Sequence, residues 1–186
     1  MRAMFATLTV ALFFVPYAPA LAETAVAECD RQAARAGMCS TEFACTKGTN
    51  VSALNGIRTR RLGNTPEITD RLIALILSGE KTVTATSPWI YDHDPTEKPS
   101  TNGYSMLLDA NGVGRAILRT TEVKTLPFDK VTAKDSQYEG KSVRSLAAWR
   151  TVHTNYFNKQ LAPLGKAWAP DMPVTLERFE VVCRAR

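Results

Sequence analysis

The sequence predicts an α+β domain, a small curled β-barrel flanked by helices, with a cysteine-bearing N-terminal extension. Three observations point there. Two stretches of helical periodicity, near residues 65–79 and from Ser145 onward, stand far apart in the chain. Short alternating, β-branched runs lie between and after them, in the order helix, strand, strand pair, long loop, helix, strand. The stretch before Gly63 shows neither pattern and carries three of the four cysteines.

Residues 1–22 read as a cleavable signal peptide. Arg2 supplies a positive start, Phe5 to Tyr17 form an apolar run of about a dozen residues, and Ala20-Leu21-Ala22 offers small residues at a cleavage site. A membrane span needs roughly 20 apolar residues, and Pro16 and Pro19 interrupt this run, so no stable membrane anchor is expected after cleavage. The expected location is periplasmic or secreted. Losing Arg2 takes the basic count from 23 to 22 against 18 acidic residues, a net charge of +4. That balance tolerates a polyanionic partner without requiring one.

Residues 23–62 form the extension, rich in small and polar residues and ending in Arg58, Arg60 and Arg61. These arginines could contact phosphates, but a solvated charge run is the simpler expectation. Ala25 to Ala36 suits a short helix, and Asn50-Val51-Ser52 is a formal glycosylation sequon. Cys29, Cys39, Cys45 and Cys183 are even in number, and in an oxidising compartment they predict disulfides: one local bridge and one joining the extension to the last strand. Which residue pairs with Cys183 stays open. Their spacing fits no standard zinc motif, and nothing nearby marks a reactive thiol.

The third segment, residues 63–186, holds the sharper signals. Thr65 caps a helix with Pro66 at its first position, Ile68, Leu72, Leu75 and Ile76 form its apolar stripe, and Gly79 ends it. Lys81 to Thr86 alternates as a strand. Residues 92–103 read as a loop, and Tyr104–Asp109 with Gly114–Val123 as a hairpin turning at Asn111-Gly112. Lys124 to Arg144 is polar and irregular, a length of loop often tied to function. Ser145 caps a second helix whose buried stripe is Leu146, Trp149, His153, Tyr156, Phe157 and Leu161, and Val174 to Cys183 closes the sheet.

These segments resemble the ASCH domain family. The likeness begins at Gly79-Glu80-Lys81-Thr82-Val83-Thr84, matching G-x-K-T-x-T. It continues through Tyr104–Asp109, Thr120-Thr121-Glu122-Val123, Pro127-Phe128, Glu139-Gly140, Ser145-Leu146, Trp149-Arg150, His153 and Asp171–Val174, and closes at Glu177-Arg178-Phe179. Asn102-Gly103 replaces a frequent Gly-Asp, and Lys141, Ser142 and Val143 replace an acidic run. The resemblance implies a PUA-like fold and a partner that is single-stranded RNA or a nucleoside-like small molecule. It also implies one of three roles: a ribonuclease, an amidohydrolase of acylated cytidine, or a non-catalytic binding module.

Lys81, Thr84 and Glu139 are the catalytic candidates that this likeness picks out. A desolvated lysine can activate a threonine hydroxyl, and a glutamate can relay the proton or position water. For phosphodiester cleavage Lys81 would balance phosphate charge while Glu139 acts as base. A regular strand would point Lys81 and Thr84 to opposite faces, so the set requires Lys81 to sit in the turn after Gly79. Trp89 and Tyr91 are candidates to stack on an unpaired base, and Glu122 and His153 are further ligand-binding candidates. Each has a plainer reading: packing for the aromatics, a solvent-facing glutamate, a core histidine. Asp92-His93-Asp94 suggests no metal site, because adjacent loop residues rarely converge on one ion. The sequence names no cofactor.

Overall fold

The computed structural model describes residues 43–47, 49 and 57–185. The expected signal peptide, Cys29, Cys39, the Ala25–Ala36 segment and the sequon lie outside them. Ten elements follow in chain order: β1 (Phe43–Cys45), β2 (Arg58–Arg60), α1 (Pro66–Leu77), β3 (Val83–Thr86), α2 (Pro88–His93), β4 (Tyr104–Leu108), β5 (Gly114–Pro127), α3 (Ala133–Ser136), α4 (Leu146–Leu161) and β6 (Pro173–Ala185).

Helix α1 starts as its sequence directs. The Thr65 side chain accepts from the Ile68 amide, Pro66 follows, and Gly79 takes φ 76° just after the helix. Only a residue without a Cβ adopts that turn cheaply. Helix α4 is capped by Ser145, whose hydroxyl accepts from the Ala148 amide.

All six strands join one sheet in the order β1-β6-β5-β4-β2, with β3 paired to β6 beside β1. The pairings are antiparallel except β2 with β4. Long strands β5 and β6 form the spine, and register shifts near Ile117/Leu118 and Thr120/Glu122 bend it. Such bulges increase local twist, which curls the sheet into a PUA-like half-barrel. One core lies against α4, with Val83, Ala85, Val174 and Leu176 packed on Phe128, Trp149 and Phe157. A second lies under α1, where Ile73 and Ile76 meet Leu107, Leu118 and Phe179.

Strands β1 and β2, from the stretch before Gly63, are thus part of the sheet. Cys45 and Cys183 are register partners across β1 and β6 and form a disulfide spanning 138 residues of sequence. Cys183 is fully buried, so the bridge anchors an edge strand of three residues to the core. We expect Cys45→Ala to lower unfolding stability by about 2–4 kcal/mol, read from denaturant midpoints under oxidising conditions. An unchanged midpoint would show that β1 is held without the bridge.

Candidate functional site

Lys81 sits in the turn between α1 and β3, as its proposed role requires. Its amide donates to the Leu75 carbonyl, and the next amide, of Thr82, donates to the Tyr138 carbonyl. This second bond places Lys81 beside the segment bearing Glu139. That segment is fixed in turn: the Glu139 amide donates to the Ser136 carbonyl, and Arg144 Nε donates to the Glu139 carbonyl at 3.2 Å. The Lys81 ammonium then donates to Glu139 Oε2 as a buried ion pair, with Lys81 5% and Glu139 3% exposed.

His153 completes the cluster from α4. Its ring stacks on Trp149 with centroids 4.1 Å apart, and Nδ1 lies 2.9 Å from the Trp149 carbonyl. A carbonyl only accepts, so Nδ1 carries the proton and Nε2 of the neutral ring presents a lone pair. Burial is the main reason that the His153 pKa falls to about 4; the Glu139 charge opposes this shift and Lys81 supports it. Nε2 stands 3.6 Å from Glu139 Oε1, and that oxygen has no hydrogen-bond partner among the described residues. Two acceptors therefore face one another in a buried place. A water, hydroxyl or amine between them would supply the missing donor.

This buried histidine makes stability depend on pH. Its folded pKa lies below the ordinary 6.5, so between about 6.5 and 4 the unfolded chain binds more protons. The contribution is complete above 6.5 and is lost as pH falls toward 4, a total of roughly 3 kcal/mol. We expect His153→Phe, which keeps a ring on Trp149, to flatten this part of a stability-versus-pH curve. An identical curve would place the acid sensitivity elsewhere.

Thr84 is buried but belongs to different surroundings. It pairs in register with Glu177 across β3 and β6, and no hydrogen bond among the described residues joins it to Lys81 or Glu139. Strand alternation turns Val83 toward the α4 core and Thr84 to the opposite face. Glu177 there accepts from Arg58 Nη2 at 2.5 Å, Arg60 Nη1 at 2.6 Å and the Thr120 hydroxyl at 2.7 Å. Burial pushes the Glu177 carboxyl up, but Arg60, Arg58 and Thr120 together hold it below the usual carboxylate range. Arg58 and Arg60 are therefore not a solvated charge run. Only Arg61 of the three is exposed.

The remaining candidates are spread around the sheet. Trp89, on α2, is half-buried against the α4 core, and Lys166 Nζ lies 4.6 Å from its ring centroid. Tyr91, on the same helix, lies near the hydroxyls of Thr175 and Thr86, and burial raises its pKa. Glu122 is exposed on β5, with Arg178 Nη1 3.4 Å away. Asp94 accepts from the amide and hydroxyl of Thr96, so its carboxyl caps a short turn. Asp92 and His93 are exposed.

The Glu177 cluster was missed in sequence because its two arginines lie more than a hundred residues from Glu177. An available signal was the alternation that sets Glu177 on the same strand face as Thr175 and Phe179, both buried.

Comparisons with known proteins fit this architecture. The ASCH domain family model matches residues 59–183. Protein EF3133 from Enterococcus faecalis V583 is 34% identical with a TM-score of 0.63, over 68% of this chain and 77% of that one. The ASCH domain from Lactobacillus crispatus JV V101 superimposes with a TM-score of 0.67 at 20% identity, covering 87% of this chain and 96% of that chain. No curated protein matches significantly. The chain belongs to the ASCH domain family, PUA-like modules associated with RNA binding.

Proposed function

We propose that this chain is an exported protein that binds single-stranded RNA or a nucleotide-like ligand and hydrolyses it at Lys81 and Glu139. One observation carries the reading: the buried Glu139 Oε1, without a hydrogen-bond partner among the described residues, faces the bare Nε2 of His153 beside the Lys81 ammonium. Burying an ion pair costs desolvation, and leaving an acceptor unsatisfied adds to that cost. A buried histidine with a lowered pKa facing an unsatisfied carboxylate oxygen is the kind of arrangement that concentrates at functional sites.

The chemistry follows from the placement. A hydroxyl or water donating to Oε1 is positioned to lose its proton to Glu139 and attack phosphorus. The bond to the leaving oxygen breaks, Lys81 balances the developing charge, and the proton held by Glu139 passes to that oxygen. Phosphodiester cleavage needs only these two residues. That is why RNA is the preferred substrate.

Amide hydrolysis of an acylated cytidine is the second reading. It is favoured by the depth of the pair, which a small acyl substituent reaches more easily than a strand. It does not need Thr84 if water is the nucleophile. Export is supported by the predicted signal peptide and by the Cys45–Cys183 bridge, since disulfides persist in oxidising compartments.

The test is to incubate the purified, oxidised protein with single-stranded RNA and, separately, with acetylcytidine, following products. RNA fragments would support the first reading and released acetate the second. No product from either would leave a binding module and contradict hydrolysis of these substrates at the site.

A further inference from the structure

A polar groove of about 310 Å³ lies between β5, β6 and the α3 segment, lined in part by Val83 and Tyr138, chain neighbours of Lys81 and Glu139. Around these two stand the cations Lys124, Lys134 and Arg178 and the carboxylates Glu122 and Asp135. Its size is at the low end for ligand sites, room for about one nucleotide unit.

We infer that this groove seats the phosphate backbone of a single RNA strand and so feeds the neighbouring nucleotide to Lys81 and Glu139. This rests on the function proposed above. The guanidinium of Arg178 lies 3.7 Å over the Tyr138 ring, so its plane is already oriented. Among the described residues its Nε has no hydrogen-bond partner, and its one carboxylate contact is the exposed 3.4 Å approach to Glu122. Exposed ion pairs are worth little, so a phosphate can replace Glu122 at small cost. An arginine fork matches phosphate oxygens in pairs.

Lys134 is exposed and forms no ion pair among the described residues. The adjacent Asp135 is committed elsewhere: it closes the α3 capping box with Thr132 and accepts from Lys124 at 2.7 Å. Burial pushes the Asp135 carboxyl up, yet Lys124 and Thr132 together hold it below its ordinary value, so it stays an anion fixed on those partners. Two cations are left for a polyanion.

The connection to the reactive pair is short. Tyr138 directly precedes Glu139, and its carbonyl holds the Thr82 amide next to Lys81. Val83 in the groove lies two residues beyond Lys81. The groove and the pair therefore share two chain segments, 81–83 and 138–139.

The experiment measures binding of a labelled single-stranded RNA oligomer to the oxidised protein across a salt series. The variants are Arg178→Gln, Lys134→Gln, the double variant, and Lys159→Gln as a control on the exposed side of α4. The double variant should weaken binding by about tenfold at low salt and flatten the log–log salt slope by about 1.4, at roughly 0.7 per lost phosphate contact. Lys159→Gln should change neither. Lys134→Gln alone is informative if Arg178→Gln disturbs packing on Tyr138, because Lys134 is solvent-exposed.

Wild-type affinity and slope in the double variant would overturn the groove. So would cytidine monophosphate binding as tightly as the oligomer, since the occupant would then be a mononucleotide. Lys81→Ala separates this inference from the proposed reaction. Intact turnover in Lys81→Ala contradicts the reaction and leaves the groove standing. Acetylcytidine turnover by a wild type that binds no RNA contradicts the groove and leaves the pair standing.

Discussion

Glu177→Ala should destabilise the fold by about 3–5 kcal/mol, enough to unfold many domains of this size. The carboxyl is 3% exposed and answers two guanidinium groups and a hydroxyl at once. Its removal strands Arg60, itself 6% exposed, beside Arg58 with no counter-charge. The loss is more than local, because these contacts tie the edge strand β2 to β6, two strands that are not sheet neighbours. Replacing Arg58, Arg60 and Glu177 together with methionines should recover much of the stability, since the desolvation cost disappears with the charges. Chemical denaturation of the single and triple variants checks both parts.

The pH sense of this cluster follows the same reasoning. The folded Glu177 pKa lies below its ordinary value, so its contribution is present above the usual carboxylate range and lost as pH falls through the folded value. It therefore acts at lower pH than His153, whose effect spans about 6.5 to 4. A wild-type curve with acid loss only below the carboxylate range would contradict the His153 part.

Lys81→Met and Glu139→Gln should each lower turnover by about 10²–10⁴-fold, the usual loss when a proton-transfer group or charge stabiliser is removed. The two residues act as a unit, so the double variant should lose little beyond either single one. Lys81→Met also leaves the Glu139 carboxyl buried without its cation, which costs stability. Circular dichroism and thermal unfolding must therefore accompany the rates. Thr84→Val is the contrasting change. If water or a substrate hydroxyl attacks, it should keep turnover within a few-fold, whereas a loss equal to that of Lys81→Met would restore Thr84 as nucleophile.

Local grammar made much of the fold legible. Thr65-Pro66 and Ser145 start α1 and α4 where capping chemistry directs, and the stripe through Trp149, His153, Phe157 and Leu161 is the buried one. Ser87-Pro88 carries the same signal as Thr65-Pro66 and starts α2, a helix not predicted between the Lys81–Thr86 strand and the 92–103 loop because it has only six residues and buries none fully. Strand β5 runs on to Pro127, past the expected end at Val123. Its final residues pair with β6 while mostly facing solvent, so hydrophobic alternation fades before the strand does.

The site was partly readable for a different reason. Lys81, Glu139 and His153 were each recognisable from the family likeness, and the structure brings these three together. The grouping itself was not readable, because 58 residues separate Lys81 from Glu139 and periodicity cannot say which turn meets which. His153 illustrates the limit. Its place on an apolar helical face marks a core histidine, and it is one, yet its free nitrogen also faces Glu139.

The most direct test of the Lys81–Glu139–His153 cluster as the binding site is an NMR titration of the histidine rings. The chain has two histidines, and His93 is exposed on α2, which provides an internal reference. RNA oligomer or acetylcytidine is added to the oxidised protein. A ligand placing a donor between Glu139 Oε1 and His153 Nε2 should move the His153 ring resonances saturably and leave those of His93 in place. Saturable binding that leaves His153 unmoved would contradict the assignment of this cluster as the site.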